Sequence, residues 1–233
     1  RGERIRSGGH GFAGMSRQKL LDILQGRCRE TGIKLNFETE INDLDPYLDA
    51  DLVLGSDGVN SMVREIYKEI FQPTIDMRKT KFVWLGTTQK FDAFTFIFKP
   101  NQHGWFYNHA YQYGQGEGLA ASTWILETHE DTWLRAGLDQ ANEVETNSYF
   151  EDMFREELEG HKLLSNKSIW RNFPVVSNKN WHHENVVLIG DAAHTAQFSI
   201  GSGTKIAMEG AISLFRSIGK ERSISEALTK YQE

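Results

Sequence analysis

Two turns carry the residues best suited to do chemistry. In each, a short apolar run leads through Gly to an aspartate: Leu52-Val53-Leu54-Gly55-Ser56-Asp57-Gly58 and Val187-Leu188-Ile189-Gly190-Asp191-Ala192-Ala193-His194. In open α/β sheets, ligands bind just beyond the C-terminal ends of the strands. A carboxylate there accepts hydrogen bonds from ribose or ribityl hydroxyls. Small neighbours such as Gly58, Gly190 and Ala192 let the backbone approach a phosphate or a ring. Asp57-Gly58 alone is also an ordinary turn dipeptide. The two alanines between Asp191 and His194 are required by no simple turn, so the second signal is the more specific. Further on, Gly201-Ser202-Gly203 opens a helix. Its free N–H groups and positive dipole end suit an electron-rich or anionic ring edge.

A second group lies on one predicted strand. Tyr107, His109 and Tyr111 alternate onto the same face and are candidates for a base near a phenol or amine. The same residues also serve as ordinary sheet packing or solvent-facing side chains. His194 invites a catalytic role, but a structural hydrogen-bonding role fits its turn better. No metal site is expected: His182-His183-Glu184 lies in a loop, and there is no helical His-x-x-x-His pair.

The elements that position these groups can be read from periodicity. Ser16 is a good N-cap for a helix over residues 17–30 with Leu20, Leu21, Leu24 and Cys28 on one face, closed by Gly32. Residues 33–37 alternate as a half-buried strand. Residues 51–55 form a buried parallel strand, followed by the Asp57 loop and a short helix over 62–67. From about Lys81 the pattern becomes an antiparallel meander. Strands fall near 94–99 and 105–113, Gly114, Gly116 and Gly118 mark a turn, and a further strand runs over 119–127. Helices follow near 130–137 and 143–158, then a strand over 167–176. Residues 184–233 return to α/β character, with Ile206, Ala207, Ala211, Leu214, Phe215 and Ile218 on the apolar side of the helix after Gly203. The fold class is therefore α/β: a partial Rossmann-like domain over 1–72 and 178–233, interrupted by a β-rich α+β insertion over 73–177.

At these residues the chain resembles a known family. Gly55-Ser56-Asp57-Gly58-Val59-Asn60-Ser61 with Arg64 resembles one fingerprint of the p-hydroxybenzoate-hydroxylase-like FAD-dependent aromatic monooxygenases. Gly190-Asp191-Ala192-Ala193-His194 with Gly201 and Gly203 resembles another. Ser16-Arg17 resembles the helix start whose Arg or Gln contacts the flavin. Within the family, Phe82 to Thr87, Phe91 to Phe96, His103 to Phe106 and Gly190 to Lys205 are most similar to the salicylyl-CoA 5-hydroxylases and 2-aminobenzoyl-CoA monooxygenases. Gln197 and Phe198 stand where the family usually has Pro.

The resemblance implies FAD reduced by NAD(P)H, and a flavin hydroperoxide that delivers oxygen to an electron-rich ring, in aromatic compound catabolism. It implies cofactor contacts from Arg17, Asp57, Gly58, Gly190, Asp191, Ala192, Gly201, Ser202 and Gly203. The substrate would be a small aromatic, with a CoA thioester favoured over a free acid. No Gly-x-Gly-x-x-Gly occurs in a strand-to-helix context, so the first βαβ unit is expected upstream of Arg1. The end of the chain inside a helix capped by Ser223 and Glu226 agrees with a piece of a longer protein. Alternatives on the same scaffold are a free-acid or phenol hydroxylase, an isoprenoid reductase and a non-catalytic binding domain. A halogenase lacks support, because its Trp-x-Trp-x-Ile-Pro motif is absent.

Composition narrows the partners. With 26 basic against 32 acidic residues and no basic run, nucleic acid is not an expected partner. No apolar run is long enough to span a bilayer. The single cysteine, Cys28, reads as a small buried apolar residue and fits a reducing, cytoplasmic setting.

Overall fold

The computed structural model describes residues 2–114, 122–165, 167–197, 199 and 201–233. The chain divides into two compact units. One comprises Arg1–Phe37 and Lys79–Arg171, the other Glu38–Arg78 and Asn172–Glu233.

The first unit opens with α1 (Arg17–Glu30), capped by the Ser16 hydroxyl, which accepts from the Lys19 N–H at 3.2 Å. Gly32 follows in a left-handed conformation, as expected of the residue after a helix end. The expected apolar face is not buried: no residue of α1 is, and Leu21 and Leu24 are exposed. Cys28 is half-buried rather than buried. The strand expected over 33–37 is absent. Alternation alone makes no strand without a neighbour to complete the ladder, and residues 33–37 belong to neither of the described sheets. Residues 1–37 group with the β-rich unit because their contacts lie there: Phe12 stacks on Phe94 at 5.0 Å.

The meander is present. In chain order, β2 (Pro73–Thr87), β3 (Thr95–Asn101), β4 (Gly104–Gln112), β5 (Ser122–His129) and β6 (Leu163–Leu164) form a sheet of order β3-β4-β5-β2-β6, and β7 (Arg171–Asn178) also pairs with β2. The turn between β3 and β4 is tighter than expected, because Pro100 and Asn101 remain in β3 and Gly104 takes a φ of 140°. The Gly116 and Gly118 turn, and the start of the strand expected from Leu119, lie outside the described residues.

One sheet face carries Val83, Leu85, Phe106, Ala110, Trp124 and Leu126. They form a core with Phe150, Phe154 and Leu158 from α5 (Glu143–Met153) and α6 (Arg155–Leu158). The helix expected over 143–158 is thus two helices, separated at Phe154. The short α4 (Glu130–Arg135) precedes them. Alternation sends Tyr107, His109, Tyr111 and Glu127 to the other face.

In the second unit, β1 (Val53–Gly55) lies parallel to β9 (Val186–Leu188), and β8 (His182–His183) completes a three-stranded sheet of order β1-β9-β8. α2 (Met62–Ile66) and α3 (Lys68–Phe71) follow β1, while α7 (Gly203–Ile218) and α8 (Ile224–Gln232) follow β9. Val187, Leu214, Leu228 and Tyr231 close one core cluster, and Leu44, Val63, Phe71, Val186 and Leu188 another. Of the apolar side expected for α7, Leu214 alone is buried, and Phe215 is 76% exposed.

Candidate functional site

The two acidic turns are neighbours. The register sets Gly55 opposite Leu188, and the Ile189 N–H donates to the Gly55 carbonyl at 3.0 Å, so both chains leave the sheet side by side. Gly55 allows this approach, since a Cβ there would stand 3.0 Å from both Leu188 and Val63. The Asp57 carboxylate accepts from the Val63 N–H at 3.1 Å and so fastens the loop to the start of α2. Gly58, with φ 82°, turns the loop.

Arg64 ties the two turns together. Its side chain is buried and donates to the Ala192 carbonyl at 3.0 Å and to the Val59 carbonyl. Burial pulls its pKa below the ordinary value, and Asp57 and Glu65 pull it back.

After β9, residues Gly190–Ala192 form a single 3-10 turn, with Gly190 at φ 58°. Asp191 is exposed there. The His194 ring stacks on Trp181 at 4.8 Å, and its buried Nδ1 has no hydrogen-bond partner among the described residues. Burial pushes the His194 pKa down, opposed by Asp191. The stacking on Trp181 holds the His194 ring beside the turn, and the His194 backbone N–H donates to the Gly190 carbonyl at 3.0 Å. Gly201 has φ 65°, and Ser202 precedes α7 without capping it by its side chain. The Ser202 Oγ is buried and has no partner among the described residues.

Arg17 is exposed in the first turn of α1, which belongs to the unit of Arg1–Phe37 and Lys79–Arg171.

The β-rich unit holds the other candidates. Tyr107, His109 and Tyr111 do share a face of β4. Phe96 pairs with His109 across the strands, and their ring centroids lie 4.9 Å apart. His109 Nε2 lies 2.7 Å from Glu127 Oε1, with side-chain exposures of 7% and 6%. Burial pushes the Tyr111 phenol up, the Thr123 hydroxyl pulls it back and Tyr113 adds to the rise. Glu127 was missed at the sequence level. Its strand was visible, but its cross-strand neighbour depends on a register that the sequence does not state.

A family model described as an FAD binding domain matches residues 19–232. The chain belongs to this FAD-binding-domain family. It is 43% identical over its whole length to a salicyloyl-CoA 5-hydroxylase from a Streptomyces species, and spans 46% of that protein. It is 32% identical over 94% of its length to a 3-hydroxy-4-methyl-anthranilyl-[aryl-carrier protein] 5-monooxygenase from Streptosporangium sibiricum, and spans 57% of it. The chain thus covers about half the length of these relatives. Among solved structures, a 2-methyl-3-hydroxypyridine-5-carboxylic acid oxygenase matches 93% of the chain with a TM-score of 0.72 at 19% identity, a likeness of fold.

The residues present fit the family's cofactor. The turn of Gly190–Ala192, the unpartnered Ser202 Oγ and the start of the 16-residue α7, uncapped by its N-cap side chain, supply hydroxyl, N–H and dipole toward a polar ligand. Among the described residues, no cluster of three or more His, Cys, Asp or Glu could hold a metal ion. No helix there is long and apolar enough to cross a membrane.

Proposed function

We propose that the protein hydroxylates an aromatic ring carried as a CoA thioester, of the salicylyl-CoA or 2-aminobenzoyl-CoA kind, with FAD, NAD(P)H and O2. The observation that carries this reading is the 43% identity to the salicyloyl-CoA 5-hydroxylase over the whole length of the chain. The carrier-linked anthranilyl relative supports an aryl thioester over a free acid.

Cofactor binding is assigned to the unit of Glu38–Arg78 and Asn172–Glu233, and substrate binding to the β-rich unit. Bound FAD, reduced by NAD(P)H, supplies the activation of O2. Asp191 accepts hydrogen bonds from ribityl or ribose hydroxyls. The N–H groups at the start of α7, with Gly201 and Ser202, face the pyrimidine edge. Asp57 and Gly58 shape the phosphate side. The apolar sheet face positions the ring and excludes water, with His109, Tyr107 and Tyr111 as the groups able to take a proton.

The test uses the protein as its gene encodes it, supplied with FAD. NAD(P)H oxidation and product mass are followed with salicylyl-CoA, 2-aminobenzoyl-CoA and their free acids. Thioester-dependent oxidation with one oxygen atom added to the product is expected. Stimulation by the free acids alone would overturn the thioester assignment, and no stimulation at all would overturn the hydroxylase.

A further inference from the structure

We propose that Phe12 is the platform on which the aromatic ring of the substrate stacks, in a cavity at the end of the sheet face, and that it sets the preference for aryl over alkyl thioesters. This rests on the thioester reading above and narrows it to one wall.

The cavity measures about 630 Å³, within the range of small-molecule sites. Its walls all belong to the β-rich unit. Phe12, Met15 and Lys19 come from the N-terminal segment and the start of α1. Phe91 and Asp92 come from the connection between β2 and β3, and Tyr113 from just beyond β4. Tyr113 stands two residues past Tyr111, so the cavity lies where the sheet face ends. Phe12 joins the two. Its ring stacks on Phe94 at 5.0 Å with the planes 3° apart, and meets Tyr111 edge-on at 5.5 Å. The Phe94 ring in turn lies 6.4 Å from that of His109.

The backbone fixes this wall in advance. A Cβ at Gly14 would run into the Gln112 carbonyl oxygen, so glycine is what lets the segment cross the end of β4 there. Two residues on, Ser16 caps α1. Phe12 is thus held by ring contacts and by a segment anchored at a helix start, so little ordering is left for a ligand to impose.

Packing alone does not account for these side chains. Phe12 is 54% exposed and Met15 49%, although both line a cavity. Apolar surface left open inside a pocket is surface that a ligand covers. One face of the Phe12 ring is taken by Phe94, and a second flat ring can stack on the other. An alkyl acyl group fills such a place without the stacking interaction, which is the source of the preference.

The experiment is calorimetric, on the FAD-loaded full gene product with NAD(P)H omitted, so that no turnover occurs. The probes are benzoyl-CoA and acetyl-CoA, which share everything but the ring. Wild type is expected to bind benzoyl-CoA the more tightly. Phe12→Ala should lose roughly 10-fold of that margin, with acetyl-CoA binding unchanged, and Phe12→Tyr should keep it. Because Phe12 is half exposed, its variants should unfold near the wild-type denaturant midpoint. Gly14→Ala, which displaces the segment, should lose the margin as Phe12→Ala does. No margin in wild type, or a wild-type margin in Phe12→Ala, would overturn the platform while leaving the thioester reading in place. Binding of neither thioester by wild type would overturn both.

Discussion

The acidic-turn crevice and the aromatic sheet face solve opposite problems. The crevice is made of backbone: two short parallel strands, turns at Gly58, Gly190 and Gly201, and one buried arginine that gathers carbonyls. The sheet face is made of side chains on a regular ladder, with a His–Glu contact set among phenylalanines. Backbone recognition depends on left-handed turns and close approach. Side-chain recognition depends on register and on the core behind the sheet. The two regions should therefore fail in different ways.

The largest effect is expected behind the sheet. Trp124 is fully buried and meets Phe154 edge-on at 5.4 Å. Trp124→Ala should cost about 3–5 kcal/mol in denaturant unfolding. In the crevice, Arg64→Met takes away the donor to the Val59 carbonyl and leaves the Ala192 carbonyl only Asn178. It should cost about 3 kcal/mol and weaken flavin binding, read by unfolding and by flavin retention on a desalting column. If Arg64→Met keeps wild-type stability, the crevice is not held in the way described.

A smaller change sharpens the contrast. Gly58 has open space around a would-be Cβ, yet its φ is 82°, so Gly58→Ala should cost about 1–2 kcal/mol through backbone strain alone. The smallest effect concerns pH. Burial lowers the His194 pKa below 6.5, so the folded state prefers the neutral ring. The stability this contributes is full above that ordinary value and is lost as pH falls from it toward the folded pKa. Denaturant midpoints taken from about pH 7.5 down to about pH 5.5 should fall less in His194→Phe than in wild type. Equal slopes would remove His194 from the acid response.

The difference between the regions also explains what the sequence revealed. The turns were legible because glycine, aspartate and small residues are forced by backbone geometry, and Gly58, Gly190 and Gly201 all take left-handed angles. The α1 boundaries were legible from the Ser16 cap and Gly32. The face shared by Tyr107, His109 and Tyr111 followed from alternation. Partners across strands did not follow, because Glu127 meets His109 through a register set by residues far apart in the chain. Periodicity also misled where tertiary neighbours decide: 33–37 alternates without becoming a strand, and α1 and α7 are amphipathic without burying the faces assigned to them.

The most direct measurement is flavin stoichiometry. Wild type, Asp191→Leu and Glu127→Gln, each made as the full gene product and saturated with FAD, would be desalted and the flavin per chain read by absorbance. Near-equimolar FAD in wild type and Glu127→Gln, with loss of most of it in Asp191→Leu, is the expected result. Full retention in Asp191→Leu, or no flavin in wild type, would contradict the assignment of the crevice as the cofactor site.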